Sequence, residues 1–337
     1  MSKRILITGA SGFIGSFIVE EALKRGYETW AGIRKNSSHE YLKDERIHFI
    51  ELDFSDVDRL SEQLGTVAFD YIVHAAGVTK CVDRNDFFKV NTQGTKNLAE
   101  AVCRTQHHLA RFVFLSSLSV FGAIKEQTPY QDIQATDHPA PNTDYGKSKL
   151  EAEKALKEIF ERETTKQPYV ILRPTGVYGP REKDYFLMAK SIKQHIDFSV
   201  GYKKQDITFV YVDDVVQAVF LAIEKDIEKG EYFLTDGNVY SSSDFSRLLH
   251  QELGKPWWIR IKAPIFVLRM VCKIGDFIGR KTGKISALNN DKFHILRQRN
   301  WRCDITPARQ ELDYQPRVTL EEGVRRSVKW YKQQGWL

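Results

Sequence analysis

A chain of 337 residues with 42% hydrophobic residues and a net charge of +6 has the composition of an ordinary soluble globular protein. It is long enough for one large domain with a smaller lobe, or for two domains. The opening Met1-Ser-Lys-Arg-Ile-Leu-Ile-Thr8 holds only a three-residue apolar run, so it reads as neither signal peptide nor membrane span, and a cytoplasmic protein is expected. Cys81, Cys103, Cys272 and Cys303 form no Cys-x-x-Cys and no His/Cys cluster, which argues against a disulfide framework or a metal site.

In chain order, Arg4–Thr8 reads as a short buried strand, and Gly9-Ala-Ser-Gly-Phe-Ile-Gly15 turns into a helix expected from Ser16 to Arg25. Strand, glycine loop and helix together suit a dinucleotide. Glycines admit a pyrophosphate against the backbone, and the helix start offers it free N–H groups. Gly9, Ser11, Gly12, Phe13, Ile14 and Gly15 are therefore cofactor candidates. The next strand, 28–33, ends at Arg34, with Lys35, Ser37 and Ser38 following. A guanidinium and hydroxyls suit a 2′-phosphate, where NAD would call for a carboxylate, so NADP(H) is preferred over NAD(H).

A strand over 47–52 leads to Asp53 and Phe54, with the Asp53 carboxylate placed to accept from an adenine amino group. The strand 71–74 runs into Ala75, Ala76 and Gly77, small residues that let a cofactor lie on the backbone. Asn91, a further cofactor candidate, and Gly94-Thr95 open another helix, and the strand 111–115 leads to Ser116 and Ser117. Strands alternating with helices imply an α/β fold, a Rossmann-type doubly wound parallel sheet with ligands at the strands' C-terminal ends.

The most chemically specific stretch is Tyr145-Gly-Lys-Ser-Lys149, at the head of a helix that continues through 155–160. Tyr145 and Lys149 stand four apart on one face. An ammonium beside a phenol favours the phenolate, which would make an acid-base catalyst working near neutral pH.

These motifs, with Val120-Phe-Gly122, Arg173-Pro174 and Val212-Asp-Asp214, resemble the extended short-chain dehydrogenases/reductases, the superfamily of NAD-dependent epimerases and dehydratases. The resemblance covers nearly the whole chain. It implies that Ser117 orients the substrate oxygen, that Tyr145 exchanges the proton, and that Lys149 holds the nicotinamide ribose and keeps the phenol acidic. It also implies cofactor contacts at Ser116, Pro174 and Val177. Dehydratases of the superfamily place Asp-Glu where this chain has Leu118 and Ser119, neither of which can carry the protons of water elimination. Sugar-nucleotide epimerases commonly carry Phe-Asn where this chain has Thr175-Gly176, and a diphosphate-gripping arginine where it has Ile207. The ending from Trp301 is similar to the branch containing 3β-hydroxysteroid dehydrogenases and dihydroflavonol reductases, which act on hydrophobic alcohols and ketones.

The resulting expectation is an NAD(P)-dependent oxidoreductase acting on a ketone or secondary alcohol of a small, largely apolar molecule. A nucleotide-sugar epimerase with tightly bound NAD is the alternative. Thr79, Ser119, Thr175, Tyr178 and Tyr185 are the substrate candidates. Residues 1–173, with 207–235 returning, form the expected cofactor domain; 174–206 and 236–337 form the substrate lobe. The segment 126–143 reads as a loop between the catalytic serine and tyrosine. Residues 255–302 carry twelve Lys/Arg against Asp276 and Asp291. Within that block an apolar helix is expected over 261–279, offering peripheral membrane contact through 257–285. No nucleic-acid module is recognisable, and a homodimer is expected.

Overall fold

The computed structural model describes residues 2–164, 166–283, 286 and 288–337. Its first half alternates strands and helices: β1 (Arg4–Thr8), α1 (Phe13–Lys24), β2 (Glu28–Ile33), β3 (His48–Glu51), α2 (Val57–Leu64), β4 (Tyr71–His74), α3 (Arg84–Phe87), α4 (Gly94–Thr105), β5 (Arg111–Leu115), α5 (Asp144–Phe160) and β6 (Tyr169–Pro174). The second half is more broken. It contains β7 (Gly176–Tyr178), α6 (Lys183–Lys193), β8 (Ile196–Val200), β9 (Asp206–Ile207), β10 (Phe209–Tyr211), α7 (Val212–Glu224), β11 (Lys229–Leu234), β12 (Tyr240–Ser241) and α8 (Asp244–Glu252). Then come β13 (Ile259–Ala263), α9 (Ile265–Thr282), α10 (Asn290–Arg297), α11 (Thr306–Glu311) and α12 (Leu320–Gln333).

Seven strands form one parallel sheet in the order β11-β6-β5-β4-β1-β2-β3. Strand residues point alternately to opposite faces, and the chain uses both. Ile5, Ile7, Val73 and Val113 pack against α1 and α7 on one side. Leu6, Ile72, Phe112 and Phe114 pack against α2, α4 and α5 on the other. After β1 the chain builds outward through β2 and β3, then returns to place β4 on β1's other edge. That reversal opens a crevice at the C-terminal ends of β1 and β4, where sheets of this kind hold ligands.

The smaller, aromatic core gathers Tyr178, Tyr211, Phe209 and Phe245 with α6, α8 and α12. Beyond it, α9 lies on α10 through Leu268, Cys272 and Phe293. Among the described residues no helix is long and apolar enough to cross a membrane.

Three local expectations are corrected. The helix after the glycine loop starts at Phe13, not Ser16, because Gly12 already serves as its N-cap. Asn91 does not open an α-helix: it sits in a wider π turn, Phe88–Gln93, that feeds α4. Ile261–Ala263 belong to a strand paired with β8, and the helix begins only after Pro264, whose ring fixes the turn into it.

Candidate active site

A cleft of about 480 Å3 lies at the switch point, lined by Gly9, Ser11 and Gly12, by Arg34, Asp53 and Phe54, and by Ala75, Ala76 and Gly77. Its floor requires glycine. Gly9 has φ +68°, and a Cβ there would come within 2.6 Å of the Ala76 nitrogen. A Cβ on Gly15 would lie 2.1 Å from the Gly9 carbonyl oxygen, so α1 can approach β1 this closely only without a side chain. No side chain caps α1 and its first turn has no acidic residue, which leaves its first N–H groups for an anion. Phe13 and Ile14 contribute that backbone, while their side chains join the hydrophobic core.

At the adenosine end, Ser37 ties down the turn: its hydroxyl accepts the Arg34 N–H at 3.0 Å. The exposed Arg34 guanidinium has no hydrogen-bond or ion-pair partner among the described residues. Asp53 is engaged from both sides, by the Ser55 hydroxyl at 2.5 Å and by Arg59 at 3.3 Å. Oδ1 already accepts both the Ser55 N–H and its hydroxyl, so Oδ2 keeps the acceptor capacity for an amino group. Glu51, which the sequence reading passed over, lines the same end.

His74 is buried at the end of β4 between two threonines. Its Nδ1 lies 2.7 Å from Thr8 Oγ1 and its Nε2 2.9 Å from Thr95 Oγ1. Because Thr95 Oγ1 donates to the Asn91 carbonyl, it accepts from Nε2–H, so Nδ1 accepts from Thr8. Burial, then the Lys149 charge, pushes the imidazole down to about 3, and it stays neutral.

Helix α5 carries the chemistry. Thr143 caps it through the Gly146 N–H at 2.9 Å, and the Asp291 carboxylate accepts the N–H groups of Asp144 and Tyr145, each at 3.0 Å. Farther along, Arg173 of β6 grips Glu153 bidentately at 2.9 and 2.7 Å and also bonds Glu231, fixing the helix against the sheet. The Ser117 hydroxyl lies beside the Tyr145 phenol, where it favours the phenolate, and its Oγ accepts the Ser119 N–H at 3.1 Å. Lys149, one turn on, donates to the Leu115 carbonyl at 2.9 Å and rests 4.6 Å from the centre of the Phe114 ring.

The electrostatics correct one expectation. Burial holds the phenol up at about 12 although the Ser117 hydroxyl beside it favours the phenolate, and burial pulls the Lys149 ammonium down to about 8 against the pull of Glu153. The lysine faces a carbonyl and an aromatic ring, so among protein groups the phenol stays a protonated acid.

Other candidates divide. Ser116 has a buried Oγ with no partner among the described residues, at the mouth of β5. Ser119 is half-buried, its N–H donated to Ser117 Oγ, and Thr79 is exposed. Asn91 is not free to bind a cofactor: its amide bonds the Val78 N–H and carbonyl at 2.8 and 3.0 Å and Ser148 at 2.9 Å, stapling the 75–78 loop to α5. Thr175 spends its hydroxyl on Thr208, and Tyr178, 1% exposed, is an aromatic-core residue, so neither reaches a substrate. Tyr185 packs tilted against Phe245 with 4.6 Å between centroids, at the edge of that core. Val177 packs between the two cores, and Pro174 is buried at the end of β6.

The glycine cradle, the uncapped α1, the orphaned Ser116 hydroxyl and the Lys149 ammonium beside Gly77 of the cleft, one turn from Tyr145, fit a bound nicotinamide dinucleotide and define a Rossmann-type oxidoreductase. Residues 5–234 match the model of the NAD dependent epimerase/dehydratase family, and the chain belongs to that family. It is 28% identical to the UDP-glucose 4-epimerase of Vibrio cholerae over 99% of this chain and 97% of that one. It is 24% identical to the decarboxylating sterol-4-alpha-carboxylate 3-dehydrogenase of Candida albicans over 97% of both. Among solved structures, the UDP-glucose 4-epimerase of Thermotoga maritima, determined with UDP-glucose, superposes with a TM-score of 0.78 at 22% identity, covering 98% of this chain and 99% of that one.

Proposed function

We propose that the protein interconverts a ketone and a secondary alcohol on a small, largely apolar substrate, using NADP(H) in preference to NAD(H). The observation that carries this reading is the Lys149 ammonium set beside Gly77 of the glycine-loop cleft, with Tyr145 one turn earlier on the same helix and Ser117 next to its phenol. When bound, the nicotinamide supplies a hydride to the carbonyl carbon and takes it back in the reverse direction. Tyr145 Oη gives its proton to the carbonyl oxygen and recovers it from the alcohol. Ser117 holds that oxygen in line, and Lys149 replaces the proton from its own ammonium while engaging the ribose. The α1 N–H groups and Gly9 to Gly15 would hold the pyrophosphate, and Arg34 a 2′-phosphate. Leu118, fully buried, and Ser119 give no second acid-base pair for dehydration.

In this reading residues 1–173 and 207–235 form the cofactor domain, and 174–206 with 236–337 shape the substrate lobe. The protein works as a cytoplasmic homodimer and touches a membrane surface through 257–285, of which Lys284 and Ile285 lie outside the described residues. A second reading, a nucleotide-sugar epimerase with tightly held NAD, is supported by the relatives named for UDP-glucose. Cofactor identity after purification separates the two. Exchangeable NADPH with turnover on a ketone panel fits the reductase, and retained NAD with turnover on UDP-sugars fits the epimerase.

A further inference from the structure

Helix α9 has two apolar faces, and the fold uses only one. Leu268, Cys272 and Gly279 are buried, the first two against Phe293 of α10. At 3.6 residues per turn, Phe266, Met270, Val271, Ile274, Phe277 and Ile278 fall within an arc of about 140° on another side. All six are exposed, Phe266 by 68%, Met270 by 60% and Phe277 by 59%. Single exposed apolar residues are unremarkable; a contiguous face of them on one helix requires a partner.

The patch continues backward along the chain. In the parallel β8–β13 pair Phe198 stands opposite Ile261, on the same outward side, and they are 61% and 43% exposed. Charge says what covers this surface. Arg269, Lys273 and Arg280 line one edge of the apolar arc, and Lys281 lies within it. The helix's one carboxylate, Asp276, is occupied by the Asn290 N–H at 3.0 Å. A two-fold contact between copies would set the same patch, cationic edge included, against itself, whereas an anionic surface complements it.

We propose that the outer face of α9, with the outward side of β8–β13, docks on an anionic lipid bilayer. The apolar side chains enter the headgroup boundary, and the lysine and arginine stems reach out to lipid phosphates. This deepens the membrane contact named above and stands apart from the hydride-transfer chemistry. It also places a consequence near the site: α10, on which α9 rests, carries the Asp291 that holds the N-terminus of the helix bearing Tyr145.

Flotation of the full chain with vesicles tests the proposal, using phosphatidylcholine alone or in equal parts with phosphatidylglycerol. The wild type floats with the anionic vesicles and not with phosphatidylcholine, and added salt weakens binding. Arg269→Glu with Lys273→Glu lowers binding by roughly tenfold or more, and Phe266→Asp with Phe277→Asp abolishes it at any salt. NADPH binding and vesicle-free turnover in every variant stay at wild-type level, which separates loss of docking from misfolding and from failure of the catalytic reading. Absence of flotation with anionic vesicles overturns the proposal. So does equal binding to both vesicle types, or a vesicle-free dimer that Phe266→Asp with Phe277→Asp converts to monomer, since a second copy would then cover the face.

Discussion

The Asp291 carboxylate accepts the backbone N–H of Tyr145 at 3.0 Å across 146 positions of sequence. With the neighbouring Asp144 N–H it ties α10 to the start of the helix that holds the proposed acid. Asp291→Ala leaves two helix-start donors unpaired and should cost about 1 to 2 kcal/mol, a drop of a few degrees in Tm. Because the tie acts through Tyr145's position, kcat should fall while NADPH affinity stays near wild type; equal losses in both would mark a general structural role.

Arg34 predicts cofactor choice. Its guanidinium is exposed, unpartnered among the described residues, and set at the cleft's adenosine end. Losing one charge-assisted contact to a 2′-phosphate weakens binding by roughly ten- to a hundredfold. Arg34→Ala should therefore raise the Kd for NADPH by that factor and leave NADH almost unchanged. Titration by intrinsic fluorescence reads both.

The buried lysine gives a pH signature. Lys149 titrates near 8 in the fold against an ordinary value of 10.5, so between those pH values the unfolded chain binds more protons and stability rises with pH. Tyr145, raised from 10 to about 12, acts oppositely at higher pH, where its stabilising effect fades. Denaturant unfolding from pH 8 to 10 should show the wild type gaining stability relative to Lys149→Met; parallel curves would contradict the buried-ammonium account.

The glycine floor is the least tolerant part of the site. Gly9→Ala combines a positive φ with a clash against Ala76, and should lower Tm and remove detectable nicotinamide binding. Gly26 also has a positive φ, but a Cβ there meets nothing within 4 Å. Gly26→Ala should cost only the backbone strain and leave cofactor binding intact, as calorimetry of both variants would show.

Much of this architecture is legible in the sequence because the sheet is simple. Arg4–Thr8, Glu28–Ile33, Tyr71–His74 and Arg111–Leu115 are strands within the expected bounds, and the first three are followed by the small or polar residues that line the cleft. What escaped reading depends on three-dimensional context. A π turn around Asn91 has no periodic signature, and a staple between Asn91, Val78 and Ser148 joins segments far apart in the chain. Ile259-Arg-Ile-Lys-Ala263 alternates with period two, but its run into α9 made it look helical until Pro264 is recognised as the break. Tyr178 and Thr175 follow the Arg173-Pro174 pair yet point into packing, and spacing alone does not separate a core tyrosine from a pocket one. The direction of Lys149 likewise follows from the Leu115 carbonyl, which no motif encodes.

Turnover by Tyr145→Phe, measured as NADPH oxidation with a ketone that the wild type reduces, tests the central claim most directly. Removing one hydroxyl should abolish reduction while NADPH binds with an unchanged Kd. Reduction persisting within tenfold of the wild-type rate would mean that another group delivers the proton.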